Sequence, residues 1–414
     1  MKEDPTRATA DPSEELPMNM RAYLTLTVAM FTVFLGLTVV SPLMSIYAKG
    51  LGASGIWLGI FFSSFSVSRT IFMPFTGWFS DRRGRKTIMI AGLILYCIVS
   101  ILYNLAQNIY QLTLVRFTHG FASAMVIPVA AAYIGDICPK GKEGTYMGRF
   151  TMSEFIGWAL GPLLGGTLAT MWNIQSVFYV MTALVFLTLL MVVFLVPECE
   201  PQIKPGKTRG SSIPTMLKDN KVKAISMYMG SRALFRQSIT AFLPLLIVET
   251  LGMTTATAGF VVSMYLLAGA VGQGLLGPMA DKHNRKAILI FSSLIGPLPV
   301  FFLPQIGSVA GFLAILIPIA VVNAVSRATA AAYTVEAGKK YLGMGTVSGI
   351  VFAAQDAGQF IGPLISGYSL DNFGIGSVYI AVAIIGVISA FFVAYWLLKK
   401  ETQVVAEAEE IRPS

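Results

Sequence analysis

Long apolar runs alternate with short polar connections along nearly the whole chain. The apolar windows fall at approximately 22–47, 55–80, 86–106, 109–136, 146–170 and 175–196, then again at 224–248, 255–280, 285–306, 309–336, 344–369 and 376–398. Crossing a hydrocarbon core of roughly 30 Å takes about 20 apolar residues in a helix, so each window is long enough for one crossing. A transmembrane β-barrel would show alternating segments of about 10 residues instead. The pattern predicts an all-α integral membrane protein with twelve transmembrane helices in two six-helix halves, residues 21–196 and 224–399. Residues 197–223 between them hold Pro197, Pro201, Pro205, Gly206, Gly210 and several lysines, a composition that buries no core and reads as a mobile linker. Residues 1–20 include Glu3, Asp4, Asp11, Glu14 and Glu15, the wrong start for a cleaved signal peptide, and read as a disordered tail, with 400–414 as a second tail.

Composition agrees with lipid as the main solvent: 55% of residues are hydrophobic and 12% charged, and the mean hydropathy is +0.70. The net charge of +9 argues little for nucleic acid, because the basic residues sit in short clusters between apolar runs. Arg82, Arg83, Arg85 and Lys86 follow the second window, Lys140 and Lys142 the fourth, Lys282, Arg285 and Lys286 the eighth, and Lys339 and Lys340 the tenth. The opposite connections hold only Lys49. Lysine and arginine accumulate on the cytoplasmic face, so both termini and the linker are expected there, in a multi-pass protein of the plasma (inner) membrane. Cys97, Cys138 and Cys199 are far apart and indicate neither a disulfide framework nor a metal site. No nucleotide-binding loop and no nucleophile–base set stands out, so neither a primary pump nor an enzyme is expected, and no cofactor.

The halves repeat at a period of about 200 residues. Ser80-Asp81-Arg82-Arg83-Gly84-Arg85-Lys86 recurs as Ala280-Asp281-Lys282-His283-Asn284-Arg285-Lys286. Ala130-Ala131-Ala132-Tyr133-x-x-Asp136 recurs as Ala330-Ala331-Ala332-Tyr333-x-x-Glu336. Duplicated halves of this kind put a substrate cavity at their interface near mid-membrane.

The segment Gly77-x-x-x-Asp81-Arg82-x-Gly84-Arg85-Lys86 resembles the signature between helices 2 and 3 of the major facilitator superfamily. Gly77 lets helices approach, Gly84 permits a tight turn, and Asp81 can accept charge-assisted hydrogen bonds across the halves, holding one conformation shut. Asp281 and Arg285 are the second copy, with Asn284 in place of glycine; the alternative is that both basic runs only set topology. Arg116-x-x-His119-Gly120 resembles the superfamily's helix 4 pattern. Gly157-x-x-x-Gly161-Pro162-x-x-Gly165-Gly166 resembles the antiporter motif of its drug:proton antiporter branches, and Gly358-x-x-x-Gly362-Pro363-x-x-Ser366-Gly367 repeats the spacing in helix 11. Small residues four apart allow close helix packing and the prolines allow bending, which suits a pliable seam. In helix 1, Ser41 stands where a proline is frequent in that branch, and no acidic residue is present.

The resemblance implies alternating access around a central cavity, a small-molecule substrate, a proton gradient as energy source and a functional monomer. Charges inside spans are the best pointers to the site. Counting about 1.5 Å per residue places Arg69, Arg116, Arg236, Arg327 and Asp356 near mid-depth, with Glu154 nearer the cytoplasm and equivalent to Asp356 in the repeat. Either carboxylate suits proton coupling if a substrate or proton can displace its partner; a fixed arginine–carboxylate pair is the alternative. His119 either carries a proton or fills a polar packing niche. The expected activity is proton-coupled efflux of small amphipathic or drug-like molecules, against a cavity wall that could include Trp158, Phe235, Phe242, Met264 and Tyr265. Because basic residues outnumber acidic ones at mid-depth, transport of an organic anion or other small metabolite is a second reading, and a non-transporting sensor or scaffold a remote third.

Overall fold

A computed structural model describes residues 19–138, 143–198, 213–276, 284–341 and 344–399; side chains at a few of these, Asp81 among them, are outside the description. The described residues are almost entirely helical and contain no strand. In the first half the long helices are α1 (Met20–Gly50), α2 (Gly55–Arg83), α3 (Arg85–Leu105), α4 (Ile109–Ile137), α5 (Glu143–Met171) and α6 (Ile174–Leu195). In the second they are α7 (Asn220–Thr250), α8 (Thr255–Leu276), α9 (Arg285–Gln305), α10 (Val309–Lys340), α11 (Met344–Phe373) and α12 (Ile375–Leu398). Ten of these are long and apolar enough to cross a membrane on hydropathy alone. The other two, α5 and α11, are the glycine-rich ones that carry Glu154 and Asp356, and both lie at the seam between the halves.

Capping residues set several boundaries. Ser54, Asn108 and Asn173 accept backbone N–H groups at the starts of α2, α4 and α6, where a helix leaves donors without partners. Gly84 separates α2 from α3 with φ of +95°, a conformation that penalises any Cβ, as expected for the tight turn. Proline breaks the regular ladder elsewhere. α1 is interrupted at Val40 and restarts at Ser41-Pro42; α9 turns into a 3₁₀ helix over Leu298–Gln305, where Pro297, Pro299 and Pro304 remove donors. The linker is shorter than the sequence suggests: Ile213–Lys218 forms a short helix, and α7 begins at Asn220, capped by Asp219. Asp219 also takes Lys340 Nζ at 2.9 Å and Tyr341 Oη at 2.6 Å, which ties the start of α7 to the end of α10 and makes a helical start there favourable. The tails at 1–18 and 400–414 lie outside the described residues.

The two glycine–proline motifs build the seam with matching geometry. On α5, Gly157, Gly161 and Gly165 face Phe31, Thr38 and Val39 of α1 so closely that a Cβ would overlap them, while Gly166 and the Pro162 carbonyl meet Thr255 and Gly259 of α8 in the other half. On α11, Gly358 and Gly362 face Gly230 and Leu234 of α7, while Gly367 and the Pro363 carbonyl meet Gly55 and Gly59 of α2. In lipid no hydrophobic force drives helices together, so this backbone approach supplies the dispersion and packing that holds them.

Candidate functional site

The hydrogen bonds that join the halves, among the described residues, all lie at mid-depth or on the face away from the termini. On that far face Lys49 pairs with Glu249, and Asp371 of α11 accepts the backbone N–H groups of Gly55 and Ile56, the latter at 2.7 Å. The Thr170 hydroxyl meets that of Thr255 at 2.8 Å and accepts Ala256 N–H at 3.0 Å. At mid-depth the Ser63 hydroxyl donates to the Phe360 carbonyl at 2.6 Å. Toward the termini no hydrogen bond joins the halves among the described residues, and the positions a Cβ would take at Gly77, Gly148 and Gly349 have no described neighbour within 4 Å. Gly77 makes no close helix contact with any described residue in this conformation.

Between the halves lies a cavity bordered by Thr38, Phe65, Arg69, Arg116, Trp158, Arg236 and Gln359 among others. A side pocket adjoins it and shares Trp158, Arg236 and Leu266. The side pocket runs from Phe155 of the first half into the second, where Arg232, Tyr265, Gln273, Asn323 and Arg327 surround it. Two walls with different electrostatics result.

On the first wall Arg69 Nη2 lies 3.2 Å from Asp356 Oδ1, across the seam. Asp356 also accepts Gln359 Nε2 at 3.0 Å and the Thr70 hydroxyl at 3.4 Å, so its carboxylate is held by both halves. Arg116 donates to Tyr103 Oη at 3.4 Å and stacks on Phe65 with its Cζ 4.8 Å from the ring centre. His119 is fully buried within the first half, against Tyr96 and Phe65, with Nδ1 3.0 Å from Tyr103 Oη; it does not border the cavity. The niche is a polar one, and it relays to Arg116 only through Tyr103.

On the second wall the arginines have few partners. Arg236 stacks on Trp158 with Cζ 4.2 Å from the ring centre, and Arg327 stacks on Phe155 at 4.9 Å while donating to Gln273 Oε1 at 3.3 Å. Both aromatic rings belong to α5, so these stacks cross between halves. Glu154 lies within electrostatic reach of Arg327 but is not in salt-bridge contact. Arg232 was not among the charges expected at mid-depth. It lies one helical turn before Arg236 on α7, and that i, i+4 spacing was the available signal.

Among the described residues, the contacts seen for the gating candidates lie within each half. Arg85 pairs with Asp136 at the end of α4, and in the repeat Arg285 lies 3.8 Å from Glu336 at the end of α10. Arg82 stacks on Trp78, with Cζ 3.9 Å from the ring centre. The backbone N–H of Lys86 and the hydroxyl of Thr87 donate to Glu198 at 3.1 and 3.2 Å, which closes the start of α3. The side chain of Asp81, and Asp281 altogether, are outside the described residues.

Known proteins share this architecture. The profile of the Major Facilitator Superfamily matches residues 26–231 and 225–413, one match to each half. An uncharacterised MFS-type transporter of Methanocaldococcus jannaschii is 29% identical over 367 residues, 86% of this chain and 93% of the relative. The multidrug resistance protein MdtG of Enterobacter lignolyticus is 28% identical over 399 residues, 92% of this chain and 93% of the relative. Among solved structures, the fold is shared with a bacterial homologue of the human lysosomal transporter Spinster in an inward-facing, occupied conformation, with a TM-score of 0.78, 15% identity, and coverage of 92% of this chain and 97% of that one. The nucleoside transporter NupG aligns with a TM-score of 0.76 at 14% identity, over 92% of this chain and 100% of its own.

Proposed function

This chain belongs to the Major Facilitator Superfamily and is a multi-pass membrane transporter rather than an enzyme; from that premise we propose that it exports small amphipathic or drug-like molecules in exchange for protons, by alternating access. The carrying observation is the cavity between the halves, with the hydrogen bonds that join them gathered, among the described residues, at mid-depth and on the far face. With the basic connections on the cytoplasmic side, the termini and linker are cytoplasmic and the conformation is the inward-facing one that loads an export substrate. The relatives named as multidrug resistance proteins support the substrate class.

Asp356 and Glu154 are the coupling groups in this reading. Protonating Asp356 would remove the charge that holds Arg69 across the seam, so proton binding changes the contact between halves. Glu154 occupies the equivalent place beside Arg327. A relayed role for His119 needs Tyr103 and Arg116 as intermediates. The test is transport into proteoliposomes with an imposed pH gradient, with cationic dyes and organic anions supplied in parallel. Gradient-dependent movement of at least one set is expected; movement of neither would overturn the proposal.

A further inference from the structure

Arg232 and Arg236 lie on one face of α7, and Arg327 faces them from α10, around a single side pocket. The three are close enough to repel one another. No carboxylate lies within salt-bridge distance of any of them among the described residues, and the only acid nearby is Glu154, beside Arg327. Stacking on Trp158 and Phe155 covers the faces of two guanidinium groups and leaves their N–H edges for the pocket. The Nε donors of Arg232 and Arg236 are buried and have no hydrogen-bond partner among the described residues, as is also true of Arg69 and Arg116. Charged groups inside a span that lack a charge partner mark a binding site in a membrane protein. Gln273 and Asn323 border the same pocket and add neutral polar groups, and Phe155, Trp158 and Tyr265 give it an apolar side.

We propose that Arg232, Arg236 and Arg327 form an oxyanion subsite, which takes the carboxylate, sulfonate or phosphonate group of an amphipathic substrate whose apolar body lies against Trp158, Phe155 and Tyr265. The planar fork of arginine presents paired donors that match the paired oxygens of such a group. Because both aromatic rings come from α5 and the arginines from α7 and α10, a bound anion touches both halves at once, which is what a substrate must do to bias their arrangement. The subsite deepens the export reading and rests on the cavity being the transport site. Arg69 and Arg116 do not join it. Arg69 is neutralised by Asp356, and Arg116 faces the first wall.

The test uses the full-length protein in nanodiscs and a matched series that varies charge alone: naphthoate, naphthamide and naphthylmethylammonium. Titration calorimetry against empty nanodiscs should show naphthoate binding more tightly than the other two. In Arg236→Gln and Arg232→Gln, naphthoate affinity should fall by roughly tenfold to a hundredfold. Naphthamide affinity should stay the same, which reports that the pocket is intact, and Arg236→Lys should keep more naphthoate affinity than Arg236→Gln. Equal binding of the three probes, tighter binding of the cation, or naphthoate binding indifferent to both glutamine variants would each overturn the subsite. If wild-type proteoliposomes still expel cationic dyes against a pH gradient while naphthoate fails to bind, the subsite alone is wrong; if no compound moves, the export reading fails independently.

Discussion

The Asp356 carboxylate accepts from Arg69, Thr70 and Gln359, and only 8% of the residue is exposed. The carboxylate is thus held by side chains of both halves, so exchanging the contact between the halves exchanges its partners. We expect Asp356→Asn to abolish transport driven by a pH gradient while leaving substrate binding measurable, with a stability cost of about 1–3 kcal/mol for leaving Arg69 unpaired. Glu154→Gln is expected to lose coupling in the same assay, since Glu154 is the acid in reach of Arg327. Full accumulation in both single variants and in the double variant would place coupling elsewhere. His119→Gln should behave differently, because the ring is sealed inside the first half: a loss of about 1 kcal/mol in thermal stability with gradient-driven transport retained. Loss of coupling in a well-folded His119→Gln variant would instead make the Tyr103–Arg116 relay part of the proton path.

At the scale of helices, α5 packs on α1 and α11 on α7, backbone against backbone, through Gly157, Gly161, Gly165, Gly358 and Gly362, and the same two helices meet α8 and α2 of the opposite half as closely. A side chain at Gly165 collides with the Val39 carbonyl, which cannot rotate away, so Gly165→Val is expected to cost about 1–3 kcal/mol and to lower the monodisperse fraction on size-exclusion chromatography. Gly77→Ala is the contrast. No described residue lies within 4 Å of its Cβ position in this conformation, so expression should be unchanged, and a fall in transport would locate its close contact in the opposite conformation. On the far face the Asp371 carboxylate caps the start of α2 from the other half, where a helix N-terminus favours negative charge. Asp371→Asn should weaken that closure by roughly 1 kcal/mol, about a fivefold shift toward the far-side-open state. Labelling of single cysteines placed in the cavity, from the far side, reads this shift; unchanged labelling would show that Lys49–Glu249 and Thr170–Thr255 close the face without it.

At the scale of the whole molecule, one conformation accounts for the contacts seen, and the other must be built from contacts that this one lacks. Closing the face toward the termini needs partners across the halves, and the Asp81 motif is the candidate set. We expect Asp81→Asn to disfavour closure and enlarge the population seen here, by a shift of about 1–3 kcal/mol, read as increased labelling of cavity cysteines from the cytoplasm with normal expression. No change in labelling or transport would leave the motif a topology signal. Topology itself is open to direct measurement. Alkaline phosphatase fused in the 197–223 linker should be inactive and a fluorescent protein there bright, since basic connections stay in the cytoplasm; an active phosphatase would invert the cavity's direction and with it the export reading.

The sequence by itself determined the twelve crossings, the duplication, and the charges that enter the membrane. Crossing length depends only on a run of apolar residues and the bilayer's thickness, and a buried charge is conspicuous wherever it falls. The antiporter-like glycine spacing was also legible as a packing device, because four-residue periodicity puts small side chains on one helix face. Hydropathy is blind to rotation about a helix axis, however, and rotation decides who meets whom. Arg69 and Asp356 lie 287 residues apart, and nothing local distinguishes their pairing from one between Arg116 and Glu154. Only the tertiary structure seated His119 away from the cavity, set Arg232 beside Arg236 and Arg327, and laid two of those guanidinium groups on rings from the opposite half. It alone also decided which face of the bundle is shut, because that depends on how two rigid halves tilt against one another, and the same covalent chain supports either tilt.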